Sequence, residues 1–412
     1  MKILHITYSH KGGAGIAAKR LHTALQQNGV SSAYLSTNLT INFNEEVVID
    51  NFFEYKKPSI LKKIKLKILS FTSFSIRNNL SKKINRFKKE GDFEIISSPF
   101  SSYKLQNHHL YKEADIINLH WVSGIIDYPS FFKACKKPIV WTFHDMNPFL
   151  GMFHYQNDFN KASSELNKFN KEIQELQKKH INYIEIGAIV SPSNWLLQEA
   201  LNSSFFPKLI NKNIVNSIDL ETFTIKCKVQ LRKEYSISDN EFVILFVAED
   251  VNNYRKGFDL LLESLNYLES INYTILTIGL DNPEVYKDIK VISLGRISDV
   301  KKIVDIYNLA DVFILPSRED NLPNVILESF ATGLPIISFN IGGIKEHVLS
   351  NKTGAISNEL TGLSLSKQII EFYNSKDNFD SQLIRKYAEE NFSFFNQYRD
   401  YLNLYKELLK ND

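Results

Sequence analysis

Short apolar runs alternate with helix-spaced segments along most of the chain, and the alternation occurs twice. In the first half, residues 3–8, 33–36, 47–50, 115–120, 138–143 and 187–191 read as strands. In the second half, residues 242–248, 273–279, 291–295, 311–316 and 335–339 do the same. Between them, residues 17–27, 257–268, 300–309 and 324–332 place apolar side chains at the spacing of one helical face. Leu166, Phe169, Ile173 and Leu176 fit a longer amphipathic helix. Strands that are apolar throughout are buried on both faces, which calls for helices on either side and parallel pairing. The expected fold class is therefore α/β, with two doubly wound Rossmann-like domains. Their join is expected near residues 216–240, where the pattern turns polar and irregular. Ligand binding is expected beyond the carboxyl ends of the strands, at the topological switch points.

The length of 412 residues also suits two domains, at roughly 100–200 residues each. With 43% hydrophobic and 23% charged residues the chain is globular rather than disordered. No apolar run reaches the length of a bilayer span, and Met1–Tyr8 reads as a buried strand rather than a signal peptide. Cys135 and Cys227 are too few for a disulfide framework or a four-thiolate zinc site. A reduced, cytoplasmic location is the expectation.

Charge is distributed unevenly. Residues 56–89 hold twelve Lys/Arg and no Asp/Glu, so the remaining 37 basic residues face 46 acidic ones, a balance of −9. Within this segment Ile60, Leu61, Ile64 and Ile68 share a helical face, with Lys62 and Lys63 largely opposite; Leu66 and Leu69 break the pattern. Two readings follow: a helix lying on an anionic membrane surface, peripheral on the inner face of the cytoplasmic membrane, or a solvated lysine-rich surface. No nucleic-acid reader motif accompanies the charge, so no nucleic-acid partner is expected.

Three segments carry candidate chemistry. Gly12-Gly13-Ala14-Gly15 follows the first strand and opens a helix, an arrangement that lets backbone N–H groups approach an anion; a plain tight turn reads equally well. Arg255-Lys256 stand where a strand, a polar loop and a helix meet, a suitable place for a diphosphate; a solvated basic pair is the other reading. In residues 315–335, Asp320 precedes a helix and Glu328 lies on its second turn, where carboxylates can accept hydrogen bonds from sugar and ribose hydroxyls. The N–H groups around Asn321, Leu322 and Asn324 are then open to a ligand. The simpler readings are a helix cap for Asp320 and a surface position for Glu328.

With these residues in view, the chain resembles a family 4 glycosyltransferase of the GT-B fold. The resemblance runs co-linearly through Gly12-Gly13-Ala14-Gly15 with Arg20 and His22, His120-Trp121, and Trp141 to Met146 with His144. It continues through Ser191 to Trp195, Asn216 to Asp219, Arg255-Lys256-Gly257, Asp320 to Asn324 with Glu328, and Gly342-Gly343 with Glu346. The Asp-Asn-Leu-Pro-Asn version of the acidic motif is similar to that of a bacterial branch; elsewhere the family often has Glu and Gly-Phe-Gly there. Relatives with the His-Asp-Met segment often carry cysteines after it. This chain has none there, so no metal cluster is expected, and His154 is expected to pack or to face the acceptor.

The resemblance implies two Rossmann-like domains facing across a cleft: residues 1–218 on the acceptor side, 219–392 on the donor side, and a helix over 393–412 returning to the first. Phe394, Tyr398, Tyr401, Leu402, Tyr405 and Leu408 have helical spacing there. It implies retaining transfer of a hexosyl group from a nucleotide-diphosphate sugar to a hydroxyl of a glycan, lipid-linked in bacterial surface polysaccharide synthesis. In that scheme Arg255 and Lys256 hold the donor diphosphate, Glu328 takes the ribose, and Asp320 with the Asn321–Leu322 turn takes the donor sugar. Gly295 and Arg296 contact the base, Gly12 and Gly13 approach the donor, and His144 reaches a sugar hydroxyl. His144, Lys256 and Asp320 would be catalytic, and neither a cofactor nor a metal is expected. Two other classes fit the same scaffold: a sugar phosphorylase or nucleotide-sugar epimerase, and a catalytically silent sugar-nucleotide-binding subunit of a polysaccharide assembly complex.

Overall fold

The apolar runs become strands of two parallel sheets. The computed structural model describes residues 1–38, 52–54, 73–269, 271–280 and 290–410. The expected strand at 47–50 and the amphipathic stretch from Ile60 to Leu69 lie outside these residues. The chain divides into an N-terminal unit, Met1–Ile214 with Tyr398–Asp412, and a C-terminal unit, Val215–Gln397.

The N-terminal unit contains β1 (Lys2–Ser9), β2 (Ser31–Asn38), β3 (Phe52–Glu54), β4 (Ile116–Leu119), β5 (Ile139–Thr142), β6 (Gly187–Ser191) and β7 (Ile210–Asn213). They form one sheet in the order β3-β2-β1-β4-β5-β6-β7, with every pair parallel. Parallel neighbours need long crossovers, which the helices provide. Each position of β4, β5 and β6 is buried, as expected for strands covered on both faces. From β1 the chain first moves outward through β2 and β3. It then returns to β4 on the other side of β1, so the switch point lies between β1 and β4.

The long helix Ser164–Ile181 starts at Ser163, whose hydroxyl accepts from Leu166 N–H at 3.2 Å. Leu166, Phe169 and Ile173 enter the core as their spacing predicts. Leu176 is only half-buried. The neighbouring Gln177 is buried instead and donates to the Gly151 carbonyl at 3.1 Å. A polar residue lies inside because a loop carbonyl needs a partner there.

The C-terminal helix Phe394–Lys410 belongs to this unit from Tyr398 onward. Tyr401, Leu404, Tyr405 and Leu408 pack against Ile3, Leu21, Ile116 and Val140. Burying each leucine contributes about 1.5–3 kcal/mol. The helix is also hydrogen-bonded to the sheet: Asn118 Nδ2 donates to Tyr405 Oη at 2.8 Å, and Thr142 Oγ1 lies 2.9 Å from Tyr401 Oη.

The C-terminal unit contains β8 (Phe242–Asp250), β9 (Tyr273–Leu280), β10 (Val291–Ser293), β11 (Val312–Leu315), β12 (Ile336–Phe339) and β13 (Gly354–Ser357). Their order is β10-β9-β8-β11-β12-β13 and all pairs are again parallel. The switch point lies between β8 and β11, so the loops after these two strands flank the place where ligands bind in open α/β sheets.

Candidate functional site

In the C-terminal unit the loops after β8 and β11 are joined by charge. After β8 the chain forms a short turn, Tyr254–Lys256, in which Asn253 Oδ1 accepts from Arg255 N–H at 2.9 Å. Arg255 and Lys256 thus sit just before the helix Phe258–Leu265 rather than within it. Lys256 Nζ is 2.5 Å from Asp320 Oδ2 and Arg255 Nη1 is 3.2 Å from the same oxygen. Arg255 Nη1 also donates to the Glu319 carbonyl at 3.0 Å, and Asn321 N–H donates to Asp320 Oδ1 at 3.1 Å. Burial would raise the Asp320 carboxyl. Lys256 and Arg255 outweigh it and, with the hydrogen bonds from Lys256 and Asn321, hold the group below the usual carboxylate range.

Gly257 lets the two loops approach. Its φ is +72°, and a Cβ there would lie 1.9 Å from the Pro316 carbonyl oxygen. Gly257→Ala combines a left-handed penalty with a backbone clash, and a loss of about 3 kcal/mol or more is expected. Calorimetry should show a lowered transition, accompanied by faster hydrogen exchange across Phe258–Leu265.

Arg318 joins the site without any mark in the sequence pattern. Its guanidinium donates to both oxygens of Asp259 at 2.8 and 2.7 Å and to the Tyr254 carbonyl at 2.6 Å. It lies 3.8 Å from the Tyr254 ring centroid, and the Arg318 backbone N–H donates to the Arg255 carbonyl at 2.8 Å. Arg318 thus fastens the loop after β11 to the loop after β8. Arg318 and Asp259 are 59 residues apart in sequence, and no local pattern signals such a pairing.

Asp320 is not the helix cap: Pro323 occupies that position before Asn324–Ala331, and Asp320 pairs with cations. Glu328 is half-buried, and its Oε2 accepts from Tyr307 Oη at 3.1 Å. Tyr307 is buried and stacks on Phe313, so a rigid phenol orients the carboxylate. Leu322 is buried in the unit's core, and Gly343 N–H approaches the Asp320 carbonyl at 3.4 Å. Gly295 accepts from Gly279 N–H at 2.9 Å just beyond β10, and Arg296 is exposed. No contact among the described residues joins Arg296 to Asp320. A cavity of about 220 Å³ in this unit lies at the other ends of the strands, lined by Lys226, Lys228, Asp311 and Lys376, and contains none of the expected residues.

In the N-terminal unit Gly12 and Gly13 open the helix Gly12–Gln27, with Lys11 before them. Gly15 is required by space, since a Cβ would lie 2.3 Å from the Ser9 carbonyl oxygen. The ends of β1 and β4 are tied by Tyr8 N–H to the Trp121 carbonyl at 2.8 Å.

His144 follows β5 and is half-buried. Its Nε2 lies 3.2 Å from His120 Nδ1, and His120 Nε2 lies 2.9 Å from His5 Nδ1. Burial drives His144 down to about 4, with Asp145 opposing. Burial also lowers His120 and His5. His154 is fully buried: its Nδ1 is 2.6 Å from Asp145 Oδ2 and its Nε2 is 2.7 Å from Ser97 Oγ. Trp121 Nε1 donates to the same Asp145 oxygen at 2.6 Å. Burial would raise Asp145, but His154 and the surrounding donors hold it down. Among the described residues no group of three or more His, Cys, Asp or Glu side chains is arranged to hold a metal ion.

The described part of the basic segment is the helix Ser73–Glu90. Several of its charges have partners within the unit: Arg77 lies 2.7 Å from buried Asp127, Arg86 lies 3.2 Å from Glu165, and Lys83 sits over the Phe169 ring. Among the described residues no helix is long and apolar enough to cross a membrane.

Residues 241–375 match the family model described as "Glycosyl transferases group 1". Over 218 residues the chain is 23% identical to N-acetyl-alpha-D-glucosaminyl L-malate synthase of Bacillus anthracis, covering 49% of this chain and 55% of that protein. The chain thus spans about half the length of the curated relatives it matches. Among solved structures, sucrose-phosphate synthase from Thermosynechococcus elongatus superposes with a TM-score of 0.70 at 16% identity, covering 100% of both chains. Anabaena Alr3699/HepE, solved with UDP-glucose, gives a TM-score of 0.68 at 15% identity, covering 99% of this chain and 100% of that one. At these identities the likeness shows the fold, GT-B with its two Rossmann-like units, and the stretch that matches the group 1 glycosyltransferase model lies within the C-terminal unit.

Proposed function

We propose that the protein is a retaining glycosyltransferase that moves a hexosyl group from a nucleoside-diphosphate sugar to a hydroxyl of a glycan. The observation that carries the proposal is the convergence of Lys256 and Arg255 on one point, marked by Asp320 Oδ2, at the switch point of the unit matching the group 1 domain. A departing diphosphate develops negative charge at such a point, and two fixed cations stabilise it without a general acid. In the transfer, the bond from the anomeric carbon to the diphosphate oxygen breaks and a bond to the acceptor oxygen forms on the same face. The acceptor's proton goes to the departing diphosphate oxygen. No enzyme nucleophile, cofactor or metal enters this scheme.

Glu328, held by Tyr307, takes the ribose hydroxyls. Asp320 and the Asn321–Leu322 turn take the donor sugar, Gly295 and Arg296 the base, Gly12 and Gly13 the donor phosphates, and His144 a sugar hydroxyl. The acceptor in this proposal is a lipid-linked glycan of surface polysaccharide synthesis, met at an anionic membrane surface through residues 56–89. Because HepE was solved with UDP-glucose, a UDP-sugar is the first donor to test. Nucleoside diphosphate should be released from one donor of a panel, and much faster with a lipid-linked glycan present. Binding of nucleotide without turnover of any donor would favour a silent binding subunit. Release of sugar phosphate, or epimerised donor, would favour the other enzyme classes.

A further inference from the structure

Neutral imidazoles joined in a row have one proton each to place, so the direction of one hydrogen bond sets all the others. Burial keeps His5, His120 and His144 uncharged near neutral pH. Two directions satisfy the contacts His5 Nδ1···Nε2 His120, at 2.9 Å, and His120 Nδ1···Nε2 His144, at 3.2 Å. In one, His5 donates to His120 and His120 to His144. In the other, both bonds reverse. The free end of the row decides between them.

His5 is fully buried, and its Nε2 has no hydrogen-bond partner among the described residues. Besides His120, the His22 ring stands edge-on to His5 at 5.9 Å between centroids. The reversed direction would put the His5 proton on Nε2, giving a buried N–H without an acceptor. The forward direction leaves only an unshared ring lone pair there. Orphaned buried donors are the rarer of the two defects.

We propose that His5 and His120 are positioning residues that fix His144 as its Nδ1–H tautomer, so that His144 serves as a hydrogen-bond donor and not as a base. In water a neutral histidine favours Nε2–H, and the row imposes the opposite form. The other ring nitrogen's partner sets the tautomer, a general rule for histidine. Nε2 of His144 accepts from His120 and is unavailable to a substrate proton. The ring then stabilises a sugar oxygen by donation from Nδ1, a consequence that rests on the transferase reading; the tautomer assignment itself does not.

Two measurements separate these parts. In the full chain labelled with ¹⁵N-histidine at neutral pH, with signals assigned through single His→Gln variants, His144 should show a protonated Nδ1 and a bare Nε2. His5→Leu removes the head donor and should shift His144 toward Nε2–H. His5→Asn, whose Nδ2 takes the place of Nδ1, should restore the original pattern. Protonation at Nε2 of His144 in the wild-type chain overturns the assignment, as does a His5→Leu spectrum unchanged at His144. If His5→Leu fails to fold, the wild-type and His5→Asn spectra still decide the matter. With donor and acceptor supplied, folded His5→Leu should lose about tenfold in kcat at unchanged donor KM, with recovery in His5→Asn. An expected spectrum without any transfer activity would sink the transferase reading and leave the tautomer standing.

Discussion

If the chain works as the proposed transferase, Lys256→Ala is expected to lower sugar transfer by about two to three powers of ten while leaving the fold intact. Removing one preorganised donor to a developing anion typically costs about 2.7–4 kcal/mol, and each 1.36 kcal/mol is about tenfold in rate. The loss should fall on kcat more than on donor KM, because the charge on the diphosphate grows as the sugar leaves. The fold should survive because Asp320 would keep Arg255 at 3.2 Å and the Asn321 N–H at 3.1 Å, so its carboxylate is not left uncompensated. Lys256→Arg should not rescue fully: a planar guanidinium cannot occupy the place of a compact ammonium 2.5 Å from Asp320. Steady-state kinetics with a thermal melt of each variant check both halves. Turnover within threefold of wild type would remove Lys256 from the mechanism.

That cluster also shows what the sequence did and did not make legible. Arg255, Lys256 and Asp320 stood out because strands that are apolar throughout end abruptly at polar loops, and β8 and β11 have that pattern. The apolar pattern marks residues 187–191 to the residue because all five positions of β6 are buried. β7, by contrast, is Ile-Asn-Lys-Asn with three exposed positions, and β13 begins with a glycine. Such edge strands are held by backbone pairing more than by apolar burial, so hydrophobic patterning passes over them. Arg318 was invisible because its partners are Asp259 and the Tyr254 ring, brought close only by folding. The contacts of His120 with His5 and His144 escaped for the same reason: three histidines at unrelated spacings meet because β1, β4 and β5 are neighbours in the sheet. Tyr307 lies on a helix whose apolar face was correctly read, but only the folded structure shows its hydroxyl directed to Glu328.

The same three histidines make the N-terminal unit sensitive to mild acid. His144 falls from 6.5 to about 4 on folding, so between these values the unfolded chain binds more protons than the folded one. Its contribution to stability is therefore complete above about pH 6.5 and is lost as pH falls toward 4. At pH 5 this group alone should have cost about 2 kcal/mol, at about 1.36 kcal/mol per unit. Burial lowers His5 and His120 as well, and His108 and His180 more weakly, all with the same sign. Asp158, raised by burial, works in the opposite direction in part of that window. Asp145 is held down and contributes only below its ordinary value of 3.8, so it does not blur the effect. The chain offers a selective probe: its three tryptophans, Trp121, Trp141 and Trp195, all lie in the N-terminal unit. Urea unfolding followed by their emission should move to a lower midpoint, by roughly 0.5–1 M, between pH 7.5 and pH 5. His144→Gln should reduce that shift, because one of the groups that must be protonated is gone. Equal midpoints at the two pH values would mean that these rings exchange protons with solvent as freely in the folded chain as in the unfolded one, contrary to their burial.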